Sequence, residues 1–208
     1  MPEELNFEDF WDKFLALLQG LFKARVAYQQ WQSGWLKCGT IHIRDRVTEY
    51  SHIVAVKYSE RKWPIPPSLA HQYEDRFTRQ LQTYVPQELL RKSDITVIIV
   101  GKYSRGVAKL SRLLRKLSRK TKLTYFLNAR GRTTTEQAVR AVKIVERYYK
   151  ARTARIREVR TRLEEQGLDT SRLQITQLET FFMFVTNKLR EGVRLLTGKD
   201  PDTVLRQV

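Results

Sequence analysis

The chain has 208 residues, of which 39 are Lys or Arg and 22 are Asp or Glu, so its formal net charge at pH 7 is +17. Hydrophobic residues make up 41% of the sequence and there are only 9 Gly and 6 Pro, which excludes a collagen-like or low-complexity chain and provides enough apolar surface for one folded core. The single cysteine, Cys38, excludes an intramolecular disulfide bond and is typical of a reducing compartment.

The N-terminal segment predicts a helix rich in aromatic residues. Apolar side chains recur at intervals of three and four residues over positions 7–22, and Asn6 is a suitable N-terminal cap. We expect this helix to extend to about Trp31.

A β-hairpin is predicted next. Residues 37–46 and 50–58 alternate polar and apolar side chains, which is typical of strands. The turn between them, near residues 46–49, contains neither Gly nor Asn, so the alternation alone indicates the hairpin. A proline-rich connector at residues 63–68 ends the second strand, because proline lacks a backbone N–H group.

The middle of the chain predicts two helices that alternate with two strands. A helix covers residues 69–90 with an interruption at Pro86, and residues 95–100 form a continuous β-branched run that is typical of a strand buried on both faces. A second helix covers residues 105–120, and a short strand covers residues 123–127.

The C-terminal third predicts two helices packed as an antiparallel hairpin. A long helix covers residues 133–166, and a last helix runs to about Leu196. Each helix carries an apolar seam at heptad-like spacing, and we expect the two seams to face each other. Because Phe181 and Phe184 exceed what one seam needs, a homodimer contact through these helices is an open alternative.

Together these elements predict an α/β fold. The sheet is expected to be small and mixed, with an antiparallel hairpin plus parallel βαβ strands, and to be covered by helices. We divide the chain into an α/β domain over residues 1–133, which includes the aromatic-rich N-terminal helix, and a C-terminal helical hairpin over residues 134–208 that is not expected to fold independently.

Nearly all of the surplus positive charge lies in one segment. Residues 105–160 contain 18 basic and 3 acidic residues, a net charge of +15. The helix predicted at residues 105–120 contains no acidic residue, and its seven like-charged pairs at i,i+3 or i,i+4 spacing cost roughly 1.5–3.5 kcal/mol before screening. Binding to a polyanion would remove that cost, and nucleic acid is the commonest such partner.

Two basic segments are predicted to follow parallel strands at one edge of the sheet. Residues 101–106 and 128–134 each combine glycine, hydroxyl side chains and Arg or Lys just before a helix N-terminus, where free N–H groups bind anions. In an open α/β sheet both would lie at the carboxyl ends of the strands, where ligands usually bind. Residues 101–106 lack the Walker spacing, which argues against nucleotide hydrolysis. The predicted nucleic-acid-binding residues are Lys102, Ser104, Arg105, Lys109, Arg112, Lys116, Arg119, Arg130, Arg132, Lys143, Arg147 and Lys150.

Catalytic patterns are weak in this sequence. Asp45, Glu60 and Lys62 form a D…ExK pattern, which in metal-dependent nucleases places carboxylates around a divalent cation that activates water. The three histidines and one cysteine have no zinc-binding spacing. We therefore expect no catalytic residue, no cofactor and no bound metal, and we keep the nuclease as an alternative.

The sequence favours a non-enzymatic nucleic-acid-binding protein that contacts the phosphate backbone with low sequence specificity. Such a protein is expected to be a subunit or accessory of a nucleoprotein complex, with DNA or RNA as its partner and protein partners within that complex. An adaptor that docks an acidic protein partner is a further alternative. The longest apolar runs have at most five residues, which is too short for a membrane span. The acidic residues Glu3 and Glu4 stand where a secretory signal would carry basic residues, so we expect a cytoplasmic or nucleoid location.

Overall fold

The structure of the protein is a computed structural model. It describes residues 7–19, 26–33, 36–59, 67–101, 122–127 and 134–207. In these ranges the helices are α1 (Phe7–Gln19), α2 (Pro67–Tyr84), α3 (Gln87–Lys92), α4 (Thr134–Glu165), α5 (Gln174–Thr197) and α6 (Pro201–Gln207). The strands are β1 (Val26–Ser33), β2 (Leu36–Arg44), β3 (Ser51–Ser59), β4 (Asp94–Val100) and β5 (Lys122–Leu127).

The strands form one mixed sheet in the order β1-β2-β3-β4-β5. β1, β2 and β3 pair antiparallel, whereas β3, β4 and β5 pair parallel. This confirms the predicted α/β class, with an antiparallel hairpin joined to parallel strands and covered by helices. The helix predicted at residues 105–120 lies outside the described residues.

The N-terminal helix is shorter than predicted. α1 ends at Gln19, and its expected extension to Trp31 is wrong because Val26–Ser33 forms β1, which pairs with β2 along its whole length. Gly20 directly follows the last residue of α1, and glycine disfavours a helix interior. The valine and aromatic residues of β1 suit a strand once a partner strand is present.

The turn between β2 and β3 is stabilised by an aspartate. The Asp45 carboxylate accepts hydrogen bonds from the backbone N–H and the hydroxyl of Thr48, at 3.1 and 2.5 Å. Glu49 then adopts a left-handed conformation with a φ of 54°. Asp45 therefore supplies the local hydrogen bonding that an Asn side chain provides in commoner hairpin turns.

Helices cover both faces of the sheet. α1, α4, α5 and α6 pack over one face and form the larger core, whereas α2 and α3 cover the other face. β3 and β4 are buried at every position. For β4 this confirms the burial on both faces that its β-branched run predicted. The larger core joins strand residues to α4 and α5, so the two predicted units share apolar contacts. Their division at residues 133 and 134 stays a prediction.

Trp11 of α1 packs directly on the backbone of β2. A Cβ atom added to Gly39 would lie 2.3 Å from two carbons of the Trp11 ring, so only glycine allows this close approach. The same helix places Phe7 and Phe10 against Tyr58 of β3. The aromatic spacing in the sequence thus serves a helix–sheet contact.

The C-terminal helical hairpin is confirmed. Four predicted seam residues of α4 and four of α5 are fully buried between the helices and the sheet: Ala138, Val142, Val145, Tyr149, Phe182, Val185, Leu189 and Val193. Phe181 is also buried, against Tyr50 and Tyr149, whereas Phe184 is partly exposed. The short helix α6 was not predicted, and it follows Gly198, whose φ of 66° ends α5. No helix in the described ranges is both long and apolar enough to cross a bilayer.

Candidate nucleic-acid interface

Three of the twelve predicted binding residues lie in the part of the chain that the structure describes. Lys143, Arg147 and Lys150 all belong to α4. The other nine lie outside the described residues: Lys102, Ser104, Arg105, Lys109, Arg112, Lys116, Arg119, Arg130 and Arg132.

Lys143, Arg147 and Lys150 form one row along α4. Their spacing of four and three residues places them on the same helix face, where Arg147 and Lys150 are exposed and Lys143 is half-buried. Lys150 Nζ lies 3.1 Å from Glu146 Oε1. Among the described residues, Lys143 and Arg147 have no ion-pair partner, so their charges are available to a ligand.

The basic residues in the second half of α4 are neutralised by carboxylates. Glu158 pairs with Arg155 at 2.9 Å and with Arg162 at 2.5 Å, and Glu179 of α5 pairs with Arg157 and Arg160. The pairs of Glu158 therefore lie within α4, and the pairs of Glu179 join α4 to α5. Lys143 and Arg147, toward the start of α4, have no such carboxylate partner among the described residues.

The two predicted basic loops begin at the same edge of the sheet. Val100 of β4 and Leu127 of β5 are register partners at the carboxyl ends of the two strands. Gly101 follows with a φ of 117°, its N–H donates to the Leu127 carbonyl at 3.2 Å, and a Cβ atom there would meet the Ser59 carbonyl at 2.7 Å. Glycine is thus required where the first loop leaves the sheet. Residues 102–106 and 128–133 lie outside the described residues.

A buried polar cluster at the opposite edge was not predicted. Tyr50 and Tyr148 both donate to Asp94 Oδ2, the former at 2.6 Å, and the Arg152 guanidinium reaches the same oxygen at 3.0 Å. Burial, followed by the charge of Asp94, raises the pKa of Tyr148, which keeps its proton as the donor. This cluster joins the starts of β3 and β4 to α4.

His52 continues the cluster into the core. Its Nδ1 lies 2.9 Å from the Tyr149 hydroxyl, and its Nε2 lies 2.8 Å from Thr96 Oγ1. Complete burial lowers the pKa of His52 to about 3, so the ring is neutral at pH 7. The sequence signal for this cluster was the presence of Asp94 and Thr96 in the otherwise apolar strand β4, together with the hydroxyl-bearing Tyr148 and Tyr149 on the buried side of α4.

The geometry of Asp45 does not favour the D…ExK alternative. Asp45 is 5% exposed, and both of its carboxylate oxygens accept hydrogen bonds within the β2–β3 turn. Glu60 and Lys62 lie outside the described residues. Within the described ranges, no group of three His, Cys, Asp or Glu side chains is placed to hold a metal ion.

No protein-family model matches the chain, and no curated protein matches it. Two similar solved structures are of the Cap4 SAVED/CARF-domain containing receptor of Acinetobacter baumannii, with the cyclic trinucleotides 2'3'3'-cAAA and 3'3'3'-cAAA. Each has 8% sequence identity to this chain and a TM-score of 0.36. The matches cover 97% and 95% of this chain but 46% and 48% of the receptor chain, so this chain spans about half of the receptor's length.

Proposed function

We propose that this chain is a non-enzymatic nucleic-acid-binding protein that contacts the phosphate backbone with low sequence specificity. It acts as a subunit or accessory of a nucleoprotein complex in the cytoplasm or nucleoid. The observation that supports this proposal is the concentration of charge: residues 105–160 contain 18 basic and 3 acidic residues, and the Lys143–Arg147 surface of α4 has no carboxylate partner among the described residues.

The distribution of ion pairs supports a division between cations that stabilise the fold and cations that would bind phosphate. Where α4 packs on α5, Glu179 neutralises Arg157 and Arg160, and on the exposed side of α4 Glu158 neutralises Arg155 and Arg162. Toward the start of α4, Lys143 and Arg147 repel each other at i,i+4 spacing, which disfavours the free protein slightly. Phosphates bound there would remove this repulsion, and phosphate contacts carry no sequence information.

Salt dependence of binding tests the proposal. With a fluorescently labelled oligonucleotide of mixed sequence, log Kd plotted against log salt should have a slope of about 4 to 5, the value expected when roughly four to six phosphates are neutralised. Charge reversal at Lys143 and Arg147 should weaken binding by about tenfold and reduce that slope by about two. The triple reversal at Arg105, Lys109 and Arg112 should act in the same direction.

The matched control reverses Arg76 and Arg79 of α2, which are exposed and lie on the opposite face of the sheet. It alters the net charge as much as the reversal at Lys143 and Arg147 and should change affinity far less. Binding that is independent of salt would overturn the proposal, and so would equal losses in the control and α4 variants. Retention of a protein partner after nuclease treatment, with no oligonucleotide binding, would point instead to an adaptor for an acidic protein.

A further inference from the structure

Two interhelical ion pairs fix the register of α4 against α5. Glu146 pairs with Arg190 at 3.3 Å, and further along the hairpin Arg157 pairs with Glu179. The helices are antiparallel, so each step toward the start of α4 is matched by a step toward the end of α5.

This register places the α4 row beside a cation of α5. Lys143 precedes Glu146 by three residues, and Arg194 follows Arg190 by four, so both flank the Glu146–Arg190 pair on the same side of the hairpin. Axes of packed helices lie roughly 8–10 Å apart. Arg194 is exposed and makes no ion pair with another described residue.

The unpredicted helix α6 adds a third element to this surface. Asp202 is ion-paired with Arg190, α6 contacts both α4 and α5, and two of its apolar residues are buried in the core. The hydrogen bond from Arg190, with contributions from the charges of Arg206 and Lys150, lowers the pKa of Asp202. Arg206 lies one turn beyond Asp202 on α6 and is exposed.

From this arrangement we infer that duplex nucleic acid binds across a three-helix surface, with Lys143, Arg147 and Lys150 as one row of cations and Arg194 and Arg206 as the second. This inference rests on the proposed function and names its ligand class. The C-terminal segment, residues 161–208, contains 7 basic and 7 acidic residues, so its sequence alone shows no surplus charge. Folding brings Arg194 to the level of Lys143 on the hairpin, and it places Arg206 and Lys150 within electrostatic range of the same carboxylate, Asp202.

Two rows of cations match a duplex better than a single strand. The two rows lie on neighbouring helices, whose axes are typically roughly 8–10 Å apart, and the carboxylates that join these helices, Glu146 and Asp202, are already ion-paired with Arg190. A duplex presents two phosphate rows on either side of a groove, about 6 Å wide in the minor and about 12 Å in the major groove of B-DNA. A single strand presents one row and is commonly held by exposed aromatic side chains. The adjacent aromatic residues of α4, Tyr148 and Tyr149, are buried.

The test compares labelled duplex and single-stranded DNA of the same sequence. In the R194E/R206E variant we expect duplex affinity to fall about tenfold or more and the salt slope to decrease by about two, with a smaller loss for the single strand. The R76E/R79E control should keep near-original affinity for both. Because charge reversal can disturb the α5–α6 junction, the neutral R194Q/R206Q variant is measured in parallel and should show roughly half of the effect on a logarithmic scale.

The outcomes separate this inference from the proposed function. If K143E/R147E weakens binding and R194E/R206E behaves as the control does, nucleic-acid binding stands and the three-helix surface is wrong. If the single strand binds as tightly as the duplex, the duplex assignment is wrong. If no variant differs from the control, both proposals are wrong. Displacement of the duplex by polyglutamate at equal charge concentration would overturn the assignment in favour of an acidic protein partner.

Discussion

His52 shows how burial sets the chemistry of a single residue. Both ring nitrogens are hydrogen-bonded, to the Tyr149 hydroxyl and to Thr96 Oγ1, in a fully buried position. A charged imidazolium would have to lose its hydration there, which is why the pKa of His52 falls to about 3. The neutral ring is therefore part of the folded state throughout the neutral pH range.

This burial predicts that acid destabilises the protein before the carboxylates titrate. Between the usual histidine pKa of about 6.5 and the folded value of about 3, the unfolded chain binds a proton that the folded chain does not. The free energy of unfolding should therefore decrease as the pH falls from 7 to 5, with a His52 contribution of up to about 1.4 kcal/mol per pH unit. Urea denaturation at a series of pH values measures it.

The H52Q variant is the comparison for this measurement. Its unfolding free energy should be lower at pH 7 because buried partners lose a hydrogen bond, but its pH slope should be shallower. His42, whose pKa is also lowered by burial and by Arg44, is present in both proteins and cancels in the difference. An unchanged slope in H52Q would show that His52 is not the group responsible.

At the scale of elements, Glu179 is the main polar contact between α4 and α5. It is 6% exposed, and its two carboxylate oxygens accept hydrogen bonds from Arg157 and Arg160, the latter at 2.5 Å. The seams of the two helices would allow apolar packing at more than one register. A buried carboxylate bound by two arginines selects one register, because any shift would leave the charge unpaired.

Removal of this contact should destabilise the hairpin measurably. We expect E179A to lower the free energy of unfolding by about 1–2 kcal/mol, since two charge-assisted hydrogen bonds are lost while the partly exposed arginines regain water. Thermal and urea denaturation followed by circular dichroism measure this change. The control is E191A, which removes the exposed pair with Lys188 and should change stability by no more than about 0.5 kcal/mol. Equal effects of the two substitutions would contradict a special role for Glu179.

At the scale of the whole molecule, 39 basic residues against 22 acidic residues give a folded state that repels itself. Salt should screen this repulsion, so we expect Tm to rise between about 0.05 and 0.5 M NaCl, although the exposed ion pairs weaken over the same range. Differential scanning calorimetry measures the change. A neutralised variant, K143Q/R147Q, should gain less Tm from salt than the original protein. A Tm that falls with salt would show that ion pairs outweigh repulsion.

Local patterns in the sequence determined much of this protein. The β-branched run of β4 and the seams of α4 and α5 were predicted because hydrophobic periodicity reports which face of an element is buried. The location of the surplus charge was also readable from residue order, and three of the predicted binding residues were placed on one face of α4.

Only the tertiary structure decided the features that depend on contacts between distant segments. Residues 26–33 form a strand because they pair with β2, and these backbone hydrogen bonds outweigh the helical pattern that the sequence shows there. Asp94 meets Tyr50 and Tyr148 across 44 and 54 residues, and Arg194 and Lys143 come to the same level of the hairpin only through the α4–α5 register. Periodicity along the chain specifies which side of each element is buried, but pairing and register follow from packing, and no local pattern contains them.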